Sequence, residues 1–134
     1  MLITFATPLR EMAMPLSKVL DLKEFFSEAN QLKPNDVANL DLIAEGNLRS
    51  RIVVSKEGTW PLSVQPEQHI FVVLEGTLSF DIAPAHEGEP DLTKVEHHEL
   101  SAGQAIVIPP NLAHGGSVVR GPAMACEVTH FMAL

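Results

Sequence analysis

The sequence predicts an all-β domain, an antiparallel barrel or sandwich, with one short helix ahead of it. Three observations carry that prediction. About nine short runs of strand character follow residue 36, separated by turn signals such as Gly46-Asn47, Lys56-Glu57-Gly58 and Glu75-Gly76. Only one stretch, opening at Asp21, repeats its apolar residues at helical spacing. The chain has 134 residues, 46% of them apolar, a length suited to one domain and able to bury a core without covalent staples.

Taken in order, residues 1–15 show no period and are interrupted by Pro8 and Pro15. They form an arm, either loose or paired with a neighbouring chain's sheet. Residues 17–20 are ambiguous. Asp21 and Glu24 have the spacing of a capping box, and Leu22, Phe25, Phe26 and Ala29 line one face. Pro34 disfavours helical geometry at Lys33, so the helix stops by Leu32. A helix packed outside a sheet explains the Phe pair better than a lid over a pocket.

Residues 39–44 alternate, with Leu40, Leu42 and Ala44 on one side. Residues 48–55 place Arg49 and Arg51 on one face and Leu48, Ser50, Ile52 and Val54 on the other. Residues 60–65 form a broken strand before Pro66. Residues 69–74 are continuously apolar, as in a strand covered on both faces. After a turn at Glu75-Gly76, residues 77–83 alternate on Leu78, Phe80 and Ile82.

Residues 84–92 read as a charged loop and 93–100 as the next strand. Residues 105–108, 117–119 and 124–131 complete the set, the last two joined by a turn at Arg120-Gly121-Pro122. In the last run Met124, Cys126, Val128 and His130 share one face, and Glu127, Thr129 and Phe131 share the other. Alternation alone leaves open which of these faces inward. The division is thus 1–35 for arm and helix and 36–134 for the barrel, one domain overall.

Composition narrows the partners. Nine Lys and Arg stand among seventeen Asp and Glu, a formal charge of −8. Such a balance argues against nucleic acid, whose binding draws on cations neutralising phosphates, and against an anionic membrane surface. A single cysteine, Cys126, excludes an internal disulfide and fits a reducing compartment. The first residues lack the basic-then-apolar pattern of a secretory leader, and no apolar run approaches the ~20 residues of a membrane span. The expected location is cytoplasmic. There is no G-x-S-x-G elbow, P-loop, G-x-G-x-x-G or C-x-x-C.

Two stretches carry more than fold. Gly103-Gln-Ala-Ile-Val-Ile-Pro-Pro-Asn-Leu-Ala-His114 runs from a glycine turn through a strand to two prolines, and Asn111 can take a left-handed backbone there. His114 then stands where a turn meets a strand. Upstream, His69-Ile-Phe-Val-Val-Leu-Glu-Gly76 begins with a histidine and ends in a turn. Together they resemble the two motifs of the cupin superfamily. In the second motif, G-x5-P-x-G-x2-H-x3-N, Gly103, Pro109 and His114 match, while Asn111 replaces the glycine and Val118 the asparagine. In the first, G-x5-H-x-H-x3,4-E-x6-G, Gly76 matches the last glycine and His69 stands at the glutamate. Ser63 and Gln65, or Leu62 and Val64 on the longer spacing, stand at the two histidines.

The resemblance spans roughly residues 45–131 and implies a jelly-roll barrel, the double-stranded β-helix. It also implies a divalent ion held inside by three histidines and a glutamate, ligands that suit Fe, Mn, Ni or Zn. Carried over, the metal candidates are His69, His114 and Gln65, a set without negative charge. The pocket candidates are Trp60, Gln65, His69, Phe71, His98 and His114. His98 joins them if Leu100 faces the core, because the two share a strand face. Metal-free sugar epimerases of this fold pair a histidine base with a tyrosine acid, and this chain contains no tyrosine. Cys126 is expected to be a buried strand cysteine rather than a nucleophile. Two readings follow. Either the barrel binds a small organic ligand without chemistry, or an ion at His69 and His114 drives an oxygenase or isomerase reaction. Exposed sheet edges and the arm predict a homodimer.

Overall fold

The computed structural model describes residues 17–131. The arm at 1–15, and its expected pairing with a second chain, lie outside the described residues.

Helix α1 (Leu22–Ser27) begins where the sequence places it. The Asp21 carboxylate accepts the Glu24 backbone N–H at 3.1 Å, and a 3-10 turn, Glu28–Gln31, ends the helical segment at Leu32. Leu22, Phe25, Phe26 and the fully buried Ala29 pack on Ile52, Val54 and Met124. The helix therefore covers the outside of the sheet, as its apolar stripe requires.

Nine strands follow among the described residues: β1 (Ala38–Glu45), β2 (Leu48–Ser55), β3 (Thr59–Gln65), β4 (Gln68–Ala83), β5 (Ala85–His86), β6 (Glu89–Pro90), β7 (Glu96–Ser101), β8 (Ala105–Ile108) and β9 (Leu112–His130). The main sheet runs β1-β2-β9-β4-β7, with β3 added on β9 and β8 on β4, all antiparallel. The long strands β4 and β9 pair along nearly their whole length. Each bends midway, so one half of the pair carries β2 and β8 and the other carries β3 and β7. That folding of one sheet over itself is the jelly roll.

The bends correct two expectations. Glu75-Gly76 and Arg120-Gly121-Pro122 do not reverse the chain. They are irregularities within single strands of 16 and 19 residues. Gly76 has φ +74°, and a Cβ there would lie 2.6 Å from the carbonyl oxygens of Arg120 and Pro122. The strands can cross this closely only because glycine stands at the bend. A local reading sees a turn glycine but not the partner strand that continues past it.

Smaller differences have similar causes. A bulge between Asp41 and Ile43 shifts the register, so Ala44 leaves the face of Leu40 and is exposed. The 84–92 loop contains the two-residue ladder of β5 and β6, turned at Glu87 and Gly88, both with positive φ. The strand expected from residue 93 starts later. Asp91 caps a 3-10 turn, Leu92–Lys94, by accepting from the Thr93 N–H, and β7 begins at Glu96.

The interior is filled at one end by Val73, Phe80, Ile82, Leu100 and Ile108. No helix among the described residues is long and apolar enough to cross a membrane.

Candidate functional site

The site grows from the inner face of three adjacent strands. In β9 the open alternation resolves with Ala123, Ala125, Glu127 and Thr129 inward, while Met124 and Cys126 lie under the helix. Arg51 on β2 stands opposite Glu127, and Phe71 on β4 flanks it from the other side. The alanines are small and their neighbours are not. A cavity of about 260 Å³ opens in front of them, walled by Val53, Trp60, Phe71 and Phe80.

Its polar end is ionic. Arg51 Nε donates to Glu127 Oε1 at 2.5 Å. Burial alone would raise the Glu127 carboxyl, but hydrogen bonds and positive charge from His69 and Arg51 outweigh it and hold the group below its ordinary value. His69 is buried, directly across the ladder from Thr129. Its Nδ1 faces Thr129 Oγ1 at 3.3 Å and Glu127 Oε2 at 3.6 Å. Two oxygens there, one an ionised carboxylate, favour a hydrogen on Nδ1. Nε2 lies 3.8 Å from Glu67 Oε2, too far for a hydrogen bond.

His114 stands edge-on to His69, with ring centroids 4.7 Å apart. Gly115 and Gly116 place it. A Cβ on either would lie within 2.6 Å of a carbonyl oxygen, of Trp60 in the first case and Ser79 in the second. The strand can therefore run tight against both neighbours just after the histidine. Burial, with His69 adding to it, lowers the His114 pKa to about 4, against the opposing pull of Glu127 and Glu67. The imidazole is neutral at pH 7. Phe71 stacks on the His69 ring at 6.0 Å and meets His114 at its edge.

Three buried polar atoms in this cluster have no hydrogen-bond partner among the described residues: Glu67 Oε2, His69 Nε2 and His114 Nε2. Such atoms each cost about 1–3 kcal/mol if left unsatisfied. Three together mark a site rather than a packing fault.

Of the residues singled out from sequence, Trp60, Phe71 and His114 line the cavity, and His69 lies against His114. Gln65 does not line the cavity; its amide donates to Ser63 Oγ at 2.5 Å. His98 shares a strand face with Leu100 as alternation predicts. It is exposed nevertheless, in a separate groove with Ile82 and Ile108 beside the edge strand β7. Arg51, Glu67 and Glu127 were not among the candidates. Glu67 had a signal, since it stands two residues before His69, but spacing counted from the motif passes over it.

The implied divalent ion meets a poor donor arrangement. Among the described residues no three His, Cys, Asp or Glu side chains are grouped to hold a metal ion. His69 turns Nδ1 to Thr129 and Glu127, and the Gln65 amide is bonded to Ser63 Oγ. As it stands, the arrangement does not fit a resident ion.

Comparison with solved structures finds the same fold widely. A conserved protein of unknown function from Streptococcus pyogenes aligns with TM-score 0.62 and 18% identity, covering 90% of this chain and 93% of that one. A cupin superfamily protein from Desulfitobacterium hafniense aligns with TM-score 0.61 and 12% identity, covering 89% and 95%. The DMSP lyase DddQ from Ruegeria pomeroyi aligns with TM-score 0.53 and 24% identity, covering 70% of this chain and 46% of that one. Comparison with curated proteins finds no match. The sequence pattern of the family described as Cupin matches residues 19–116, most of the chain, and with the jelly roll in place this protein belongs to the cupin family.

Proposed function

We propose that the barrel binds a small organic ligand, its body in the apolar cavity and its polar group at the His69–His114 end. One observation carries the reading: an apolar-walled cavity whose few polar lining groups include Arg51, Glu127 and His114, the last with its Nε2 unpartnered among the described residues. Small-molecule sites have this composition, a mostly apolar lining with a few convergent polar groups. At about 260 Å³ the cavity suits a compact ligand.

The metal-dependent alternative, an oxygenase or isomerase using His69 and His114, draws support from the family, whose members often hold divalent ions. The donor arrangement described above favours the organic ligand. The proposal also includes a homodimer, supported by the edge strands β1 and β7. Trp60, the chain's one tryptophan, lines the cavity and reports on it. Titration with hexanol is expected to shift its emission saturably, and Ala125→Leu, which narrows the cavity, to abolish the response. A flat titration across uncharged alcohols and arenes of similar size removes the reading.

A further inference from the structure

We infer that this site selects a carboxylate on an apolar body, and that the Arg51 guanidinium holds the head. The inference rests on the ligand-binding reading above and names its chemical class.

The inner face of the β2–β9 pair grades from polar to apolar along the strands. Its rungs are Arg51 opposite Glu127, Val53 opposite Ala125 and Ser55 opposite Ala123, and all of these residues line the cavity. Successive rungs on one face lie about 7 Å apart. A ligand with its head at the first rung lays its body over the next two, where two alanines leave the room. Trp60, Phe71, Leu78 and Phe80 add apolar wall to the same space.

Arg51 is the one Lys or Arg among the described residues that line the cavity. A guanidinium carries five N–H donors and does not lose its charge in proteins. One of them, Nε–H, goes to Glu127 Oε1. The four on the two Nη atoms have no hydrogen-bond partner among the described residues. The Arg51 side chain is 35% exposed and that of Glu127 9%, so a solute can reach the cation while its partner stays covered. Glu127 has both oxygens turned to protein groups, Oε1 to Arg51 and Oε2 towards His69. The pair thus occupies one corner of the guanidinium fork and leaves the Nη edge for a second acceptor. That edge matches the two oxygens of a carboxylate, and such charge-assisted bonds are roughly twice as strong as neutral ones. An alcohol brings one acceptor and no charge. An ammonium brings only donors to a group that itself only donates.

The test holds the body constant and changes the head. Hexanoate, hexanol and hexylamine are titrated at pH 7.5 into the full chain, into Arg51→Met and into Arg51→Met with Glu127→Leu, with Trp60 emission and calorimetry as readouts. In the full chain hexanoate is expected to bind about tenfold tighter than hexanol, with hexylamine weakest. The double variant removes the guanidinium without stranding its partner. There hexanoate is expected to fall to within about threefold of hexanol, while hexanol itself is unchanged, which also reports an intact cavity. Arg51→Met alone leaves Glu127 unpaired, and hexanoate is expected to fall below hexanol. Hexanol or hexylamine matching hexanoate in the full chain, or a hexanoate preference that survives in the double variant, overturns the inference and leaves the cavity reading standing. A preference that EDTA abolishes assigns the head to a bound ion and overturns the inference in the same way. Binding of none of the three overturns both.

Discussion

The two faces of the β2–β9 pair are built from alternate residues of the same two strands, yet they serve opposite ends. Outward, Ser50, Ile52 and Val54 meet Met124 and Cys126, and the helix closes over them. That face is apolar and sealed, and Ala29 and Val54 there are wholly buried. Inward, Arg51 and Val53 meet Ala125 and Glu127, and the described residues leave a cavity in front of them. That face holds an ion pair, an open volume and, beside it, atoms without partners among the described residues. One face stabilises the fold by removing apolar surface from water. The other gives up packing volume and buries charge, which is the composition of a binding site.

This contrast makes unequal demands on mutation. The largest effect is expected on the sealed face. Ile52→Ala removes three carbons from the floor under the helix and should cost about 3 kcal/mol by urea denaturation, with hexanol binding unchanged. A loss below about 1 kcal/mol would show that the helix and sheet relax into the space, and that the face is less sealed than described.

Next comes the ion pair. Arg51→Met leaves Glu127 buried opposite a thioether and should cost about 2 kcal/mol, less than a fully buried pair because Arg51 is partly exposed. Arg51→Met with Glu127→Leu should recover most of that loss while abolishing any polar recognition. If the double variant is no more stable than the single, the pair contributes net stability and the faces differ less than argued.

The smallest effect is a pH dependence. His114 has a folded pKa near 4 and an ordinary value of 6.5. Between these values the unfolded chain binds a proton that the folded chain refuses, so stability should fall as pH drops from about 6.5 to 4. Partial exposure of the ring screens the effect. His114→Gln should flatten that part of the pH–stability curve. An unchanged slope would place the acid sensitivity elsewhere and the histidine in a wetter setting.

Much of the scaffold was legible. The Asp21 cap, the helix stripe on Phe25 and Phe26, β2 and β8, and the left-handed Asn111 (φ +67°) all follow from local chemistry. His69 and His114 were legible too, because a histidine at a strand end is conspicuous and the motif spacing placed both. The other half of the cluster was not. Glu127 belonged to a face whose direction alternation could not choose, and Arg51 could have looked to solvent. Gln65 and His98 were named and lie apart, one bonded to its neighbour Ser63, the other exposed near an edge.

By itself the sequence determined most element types and the helix boundaries, because caps, turn residues and periodicity act over a few residues, and the resemblance of its two motifs pointed to the jelly roll and the two histidines. Tertiary structure decided which strand face became the interior, that Gly76 and Gly121 bend strands rather than end them, and that Glu67, Glu127 and Arg51 gather around His69. The physical reason is range. Alternation fixes two faces but not their direction, and direction is set by which face the helix covers. Arg51 and Glu127 are 76 residues apart in the chain and meet only through strand register.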